Sequence, residues 1–168
     1  MTSLDHLATI AEIAVALAGF SALVALLGAR RGPANPRLEA LRLQVMLESS
    51  LLVVAFALLP LVVSEFGTSA GMAWRIPAAL FLAVDLPHMA FTMRRFRAYR
   101  ESFSSADRTG SVIVQIFGYS GDIAALVIVS GLMTELHPGL YLGAMYLNLL
   151  VSAILFVRFA ASTFVPDE

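Results

Sequence analysis

"PGLYLGAMYLNLLVSAILFV", Pro138 to Val157, is an apolar run of 20 residues, and no charge occurs between Glu135 and Arg158. At about 1.5 Å of rise per residue, a helix of this length spans the roughly 30 Å hydrocarbon core of a bilayer. Four similar runs precede it, at 8–28, 44–64, 76–93 and 111–133. Strands of a membrane barrel need only about 9–11 residues and alternate in character, whereas these runs are long and continuous. The spacing predicts an all-α integral membrane protein. Its five transmembrane helices, with spans at 8–28, 44–64, 76–93, 111–133 and 138–157, form one domain over residues 1–168.

Composition agrees. Of the 168 residues, 59% are hydrophobic and 14% charged, against about 45–50% and about 25% in soluble domains. Mean hydropathy is +0.83. With no cysteine, disulfides, thiolate metal sites and cysteine nucleophiles are excluded. All 11 basic residues are arginine, which excludes Schiff-base chemistry on lysine. The net charge of −1 and the scatter of arginines through short loops argue against nucleic-acid binding. "MTSLDH" has no arginine ahead of the first apolar run, so a cleaved signal peptide is not expected.

The arginines set an orientation. Arg30, Arg31, Arg37 and Arg42 belong to the first connection, and Arg94, Arg95, Arg97, Arg100 and Arg108 to the third. Arg158 follows the fifth span, and only Arg75 falls on the other side. By the positive-inside rule the N-terminus is outside and the C-terminus cytoplasmic. The expected location is the bacterial cytoplasmic (inner) membrane, multi-pass. "NPRLE" offers Asn35 as an N-cap and Pro36 as the first helical residue of the second helix. Pro60 should bend that helix near its outer end.

An ionisable side chain inside a span costs about 2.5–3.5 kcal/mol on insertion scales and normally faces protein or a water-filled cavity. "AVDLPHMAF", Ala83–Phe91, places Asp85 and His88 in the third span. Asp85, His88, Thr92 and Arg95 step by 3, 4 and 3, and Ser111, Gln115, Tyr119 and Asp122 by 4, 4 and 3. Each set is a stripe on one helical face. Asp85 lies ten residues from Arg95, and Asp122 eleven from Ser111, so the acids match in depth. Facing stripes would line a polar cleft from the cytoplasm to the bilayer centre. Asn148, with Ser152 one turn away, and Glu48, with Ser49 and Ser50, add polar groups at comparable depths. Glu12 belongs to the outer end of the first helix.

Pro87 removes a hydrogen bond from the carbonyl of Ala83, which could offer a further ligand beside Asp85. The glycines of "GYSGD", 118–122, could loosen the fourth helix, and paired interruptions at mid-membrane are typical of transporter sites. Two adjacent carboxylates do not both ionise cheaply, so a shared proton or bound cation would relieve Asp85 and Asp122. A transition metal held by Asp85, His88, Glu48 and Asp122 is a further alternative, as is a purely structural Asp85–His88 pair. "GYSG" is similar to the GxSG of rhomboid intramembrane proteases. That resemblance fails on the position of the later histidine, His137, and on the number of spans.

Gly19 and Ala22, with Ala11, Ala14, Ala18 and Ala25, form a small-residue surface on the first helix, and Gly139 and Gly143 have GxxxG spacing. Both suit close helix packing. The expected partners are the lipid bilayer, further copies in a homo-oligomer, and another membrane protein. No cofactor is predicted beyond a bound cation or proton, and the connections are too short for a catalytic domain. The pattern points to a channel or transporter for a cation, a proton or a small solute. Its ion- or solute-binding residues would be Asp85, His88, Asp122, Glu48, Gln115, Tyr119 and Asn148. The alternative is a non-catalytic membrane-embedded subunit or scaffold.

Overall fold

The computed structural model describes residues 3–29, 36–97 and 105–164. The N-cap expected at Asn35, the loop arginines Arg30, Arg31 and Arg100, and the side chain of Arg108 lie outside what is described. The described chain comprises α1 (Ser3–Ala29), α2 (Pro36–Glu65), α3 (Met72–Arg97), α4 (Ser105–Ser130) and α5 (His137–Phe164), with a 3-10 turn at Thr134–Leu136. All five α-helices are long and apolar enough to cross a membrane. Each starts ahead of its expected span, and α2 begins on Pro36, where a missing N–H costs nothing.

One boundary differs more sharply. The apolar run suggests that α4 continues to Met133, yet it stops at Ser130. Gly131 has φ +78, the left-handed C-terminal geometry that glycine adopts without steric cost. The Arg75 guanidinium packs against Gly131, and its Nε donates to the Ile128 carbonyl at 3.4 Å. A cation on the last open carbonyls complements the helix dipole. Among the described residues, the lone arginine at this end of the bundle thus caps a neighbouring helix.

Each helix packs against its neighbours in chain order, α5 closes onto α1, and α2 crosses to α5. This diagonal splits the bundle in two. On one side, α1 lies against α2 and α5 through Leu7, Ile10, Ala11 and Ala14. Its Ser21 is buried, bonding the Leu17 carbonyl and Met46 Sδ. On the other side, α2, α3, α4 and α5 enclose the space that matters here.

That four-helix side is packed at one end and hollow at the other. The core draws on Val53, Phe56 and Ala57 of α2, Ala78 and Phe81 of α3, Ala125 and Ile128 of α4, and Tyr141, Ala144, Met145 and Leu149 of α5. All of these lie toward the end remote from Arg97 and Arg158. Phe56 and Phe81 meet edge to face at 5.4 Å. Pro60 lies within α2 and deprives the Phe56 carbonyl of its intrahelical donor. The Tyr141 hydroxyl of α5 donates to that carbonyl at 2.7 Å, so the proline defect is repaired across the bundle.

Candidate functional site

Beyond the packed core, toward the arginine-rich end, the same four helices line a cavity of about 490 Å³. α2 contributes Arg42, Val45 and Ser49. α3 contributes Asp85, His88, Met89, Thr92, Met93, Phe96 and Arg97. α4 supplies Ser111, Val114, Gln115 and Gly118, and α5 supplies Asn148, Val151, Leu155, Arg158 and Phe159. Among the described residues no α1 side chain takes part, as the α2–α5 diagonal requires. Asp85 stands at the deep end and three arginines at the mouth.

Asp85 and Asp122 are each 6% exposed, and their carboxyl groups are electrostatic neighbours across the α3–α4 seam. Asp122 lies behind Asp85 rather than on the cavity wall. The two carboxyls are placed to share a side-chain hydrogen bond, which needs a proton between them. Beyond each other, Asp85 Oδ2 and both Asp122 oxygens are buried and meet no donor, and the same holds for Thr92 Oγ1 on the wall. Buried oxygens of this kind are costly unless a donor, proton or cation reaches them.

The sequence stripes are rotated slightly from the true lining. On a helix of about 3.6 residues per turn, each i+4 step advances roughly 40° and each i+7 step falls back roughly 20°. From Ser111, Tyr119 has therefore drifted to the edge of the face, while Gly118 stays central. Tyr119 is exposed and outside the cavity, its hydroxyl 3.7 Å from Met93 Sδ. From Asp85, Arg95 has drifted the other way and Phe96 replaces it on the wall. Arg95 instead lies over the Phe91 ring, 4.1 Å from its centroid.

His88 lines the cavity, and its Nδ1 is 3.8 Å from Glu48 Oε2. Glu48 itself is off the wall, with Oε1 accepting from Gln44 Nε2 at 2.6 Å. Gln115 Nε2 donates to Ser111 Oγ at 3.3 Å. Asn148 Nδ2 donates to the Ala144 carbonyl at 3.0 Å, and Ser152 Oγ to the Asn148 carbonyl at 3.2 Å. Asp85, His88, Gln115 and Asn148 thus share one cavity. Asp122 backs it, Glu48 is one contact removed, and Tyr119 does not belong.

Three further expectations are corrected. α4 runs unbroken through "GYSGD", whose glycines are recesses. Gly118 receives Met89 of α3, and a Cβ on Gly121 would sit 2.8 Å from Asn148 Nδ2 of α5. Ala83 and Pro87 both face outward, so the carbonyl freed by Pro87 is on the opposite face from Asp85. Among the described residues no three histidine or acidic groups gather as metal ligands, so the four-residue metal site is not formed. Ser120 is exposed and bonds the Ile116 carbonyl, far from buried His137, whose Nε2 contacts the Leu132 carbonyl at 3.0 Å. No serine–histidine pair exists there.

Sequence reasoning missed Met89, Met93, Gly118 and Arg97. The signal for Met89 and Gly118 was present, since both fall within the polar faces once helical drift is counted.

Fold and site together define an all-helical bundle of five span-length helices with a one-ended cavity closing on paired acids. No family model, curated protein or solved structure matches the chain.

Proposed function

We propose that this is a multi-pass membrane protein that moves a proton or cation, or a small solute coupled to one, through the cavity that ends on Asp85. Large apolar side chains are exposed around the bundle, among them Phe20 and Leu26 of α1, Leu51 of α2, Phe91 of α3 and Ile123 of α4. Such a surface is a liability in water and suits lipid. Among the described residues, Arg37, Arg42, Arg94, Arg95, Arg97 and Arg158 fall at or next to the end where the cavity opens. That end is read as cytoplasmic, with the N-terminus outside. Gly19, Gly139 and Gly143 have open space beside them, which suits packing of a second copy or a partner helix.

The observation that carries the reading is the buried Asp85–Asp122 carboxyl pair, hydrogen-bonded only to each other, at the closed end of the cavity. Intramembrane acids in such a setting mark ion and proton pathways. A proton or cation binding there would be exchanged with the arginine-rich side past His88. Passage beyond Asp85 requires the packed half, around Phe56, Phe81 and Ile128, to open, as alternating access does.

The test is reconstitution into liposomes under proton and monovalent-cation gradients. Asp85→Asn and Asp122→Asn are each expected to abolish flux while the purified variants keep their helical content. Unchanged flux in both would remove this site. Absence of flux under every gradient would favour a non-transporting membrane subunit.

A further inference from the structure

We infer that the ion held at the end of the cavity is a proton shared by Asp85 and Asp122, and not a metal cation. His88, with Glu48 beside it, passes that proton between Asp85 and the cavity mouth. This names the ion of the transport reading and rests on that reading only for passage across the membrane.

The two carboxyls set the first requirement. Each residue is 6% exposed, and across the α3–α4 seam the pair is close enough for one carboxyl to donate to the other. Two carboxylates have no hydrogen to share, so that bond exists only with at least one proton between them. Apart from it, Asp85 Oδ2 and both Asp122 oxygens meet no donor. The proton therefore holds together two acids that would otherwise repel in the middle of the bundle.

A metal cation lacks the ligands that would replace its water here. Hard divalent ions take about six to eight oxygens, and filters for monovalent ions offer rings of carbonyls or acids. Among the described residues no third histidine or acidic group joins the pair as a ligand set. α4 runs unbroken past Asp122, which keeps its carbonyls within the helix, and Asn148 turns its amide nitrogen to the Ala144 carbonyl. The approach is equally unsuited. Among the described residues Asp85 is the only acid on the cavity wall, and Arg42, Arg97 and Arg158 stand at the mouth. Pairing of Arg42 with Glu39 lessens that charge without adding an acid to the wall. A proton needs only water and an exchangeable side chain along the way.

His88 is that side chain. It follows Asp85 by one turn on the same face of α3, lines the cavity, and has Nδ1 3.8 Å from Glu48 Oε2. Imidazole both accepts and donates protons near neutral pH. A proton that leaves an Asp85 oxygen for the imidazole, through cavity water, makes an imidazolium beside the Glu48 carboxylate. Its release toward the mouth restores the neutral ring, and uptake retraces the same atoms. Arg95 is the other charged group acting on the ring, while α4 and α5 add the uncharged Gln115 and Asn148 to the wall.

The experiment is infrared difference spectroscopy on the full chain in nanodiscs at neutral pH. A protonated-carboxyl C=O stretch is expected, unchanged when sodium, potassium or calcium chloride is added. It should shift in Asp85→Asn and in Asp122→Asn, and be lost in the double variant, with helical content kept. After transfer to heavy water, the isotope shift of the band should develop severalfold more slowly in His88→Ala. Added imidazole should restore the rate, which a merely structural role for His88 would not allow. Absence of the band, or its removal by any of the three salts, overturns the proton assignment. An isotope shift indifferent to His88→Ala, or slowed and not rescued, overturns the relay. Flux in liposomes separates the two levels, and proton flux is expected to persist in buffers free of metal cations. If the band behaves as expected and no flux is found, the transport reading fails alone. If metal-cation flux is found and salt removes the band, the proton assignment fails alone.

Discussion

The hydroxyl of Tyr141 on α5 donates at 2.7 Å to the carbonyl of Phe56 on α2, the carbonyl that Pro60 leaves without a helical partner. Tyr141 is fully buried, beside Trp74 at 5.8 Å between ring centroids. The bond ties the two helices that form the bundle's diagonal, and it lies in the packed half that closes the cavity. Tyr141→Phe should therefore cost about 1–3 kcal/mol, the penalty for stranding a buried acceptor. Pro60→Ala restores a backbone N–H to the same carbonyl. The double variant should recover part of the loss, and a double-mutant cycle of unfolding in detergent measures the coupling. Additive losses would show that the bond does not compensate the proline.

The two glycines facing neighbouring helices should respond differently from those facing outward. Gly121→Val places bulk where Asn148 of α5 already packs. It should destabilise by about 1–3 kcal/mol, as overpacking does. Gly118→Ala meets only the flexible end of Met89, so the change should push that side chain and leave stability nearly intact. Gly139→Ala has open space and serves as the reference. Thermal unfolding of the three variants in one detergent gives the ranking.

Arg75→Gln should loosen the end of α4. The guanidinium contacts the Ile128 carbonyl and packs on Gly131, and a charge at a helix C-terminus contributes about 0.3–1 kcal/mol. Hydrogen exchange should accelerate in the last turn of α4 and leave the middle of α5 unchanged. Uniform acceleration through both helices would indicate a global effect instead.

What the sequence made legible follows from which forces act along a single helix. Hydropathy marks the five helices because it is a sum over each one, and it overshoots at Leu132 and Met133 because apolarity carries no record of the left-handed turn at Gly131. The spacing located Asp85, His88, Gln115 and Asn148 on the cavity because periodicity is a property of one helix. It misplaced Tyr119 and Arg95 because steps of four and three were treated as straight lines while the face drifts. The roles of Gly121 and Tyr141, and the packing of Met89 into Gly118, were not readable. Each depends on a side chain from another helix, and that register is fixed only when the bundle packs.

Asp122 offers the sharpest separation of stability from function. Its buried oxygens meet no donor beyond the Asp85 carboxyl, so the pair holds together only while a proton or cation sits between the two acids. Asp122→Leu should therefore change stability by less than about 1 kcal/mol, since removing one buried carboxyl and losing its bond to Asp85 offset each other. The same change removes the second carboxyl behind Asp85, and with it the proton- or cation-dependent flux. Unfolding and liposome flux measured on one preparation decide the matter. A variant that loses much stability yet keeps its flux would make Asp122 a packing residue and leave Asp85 to act alone.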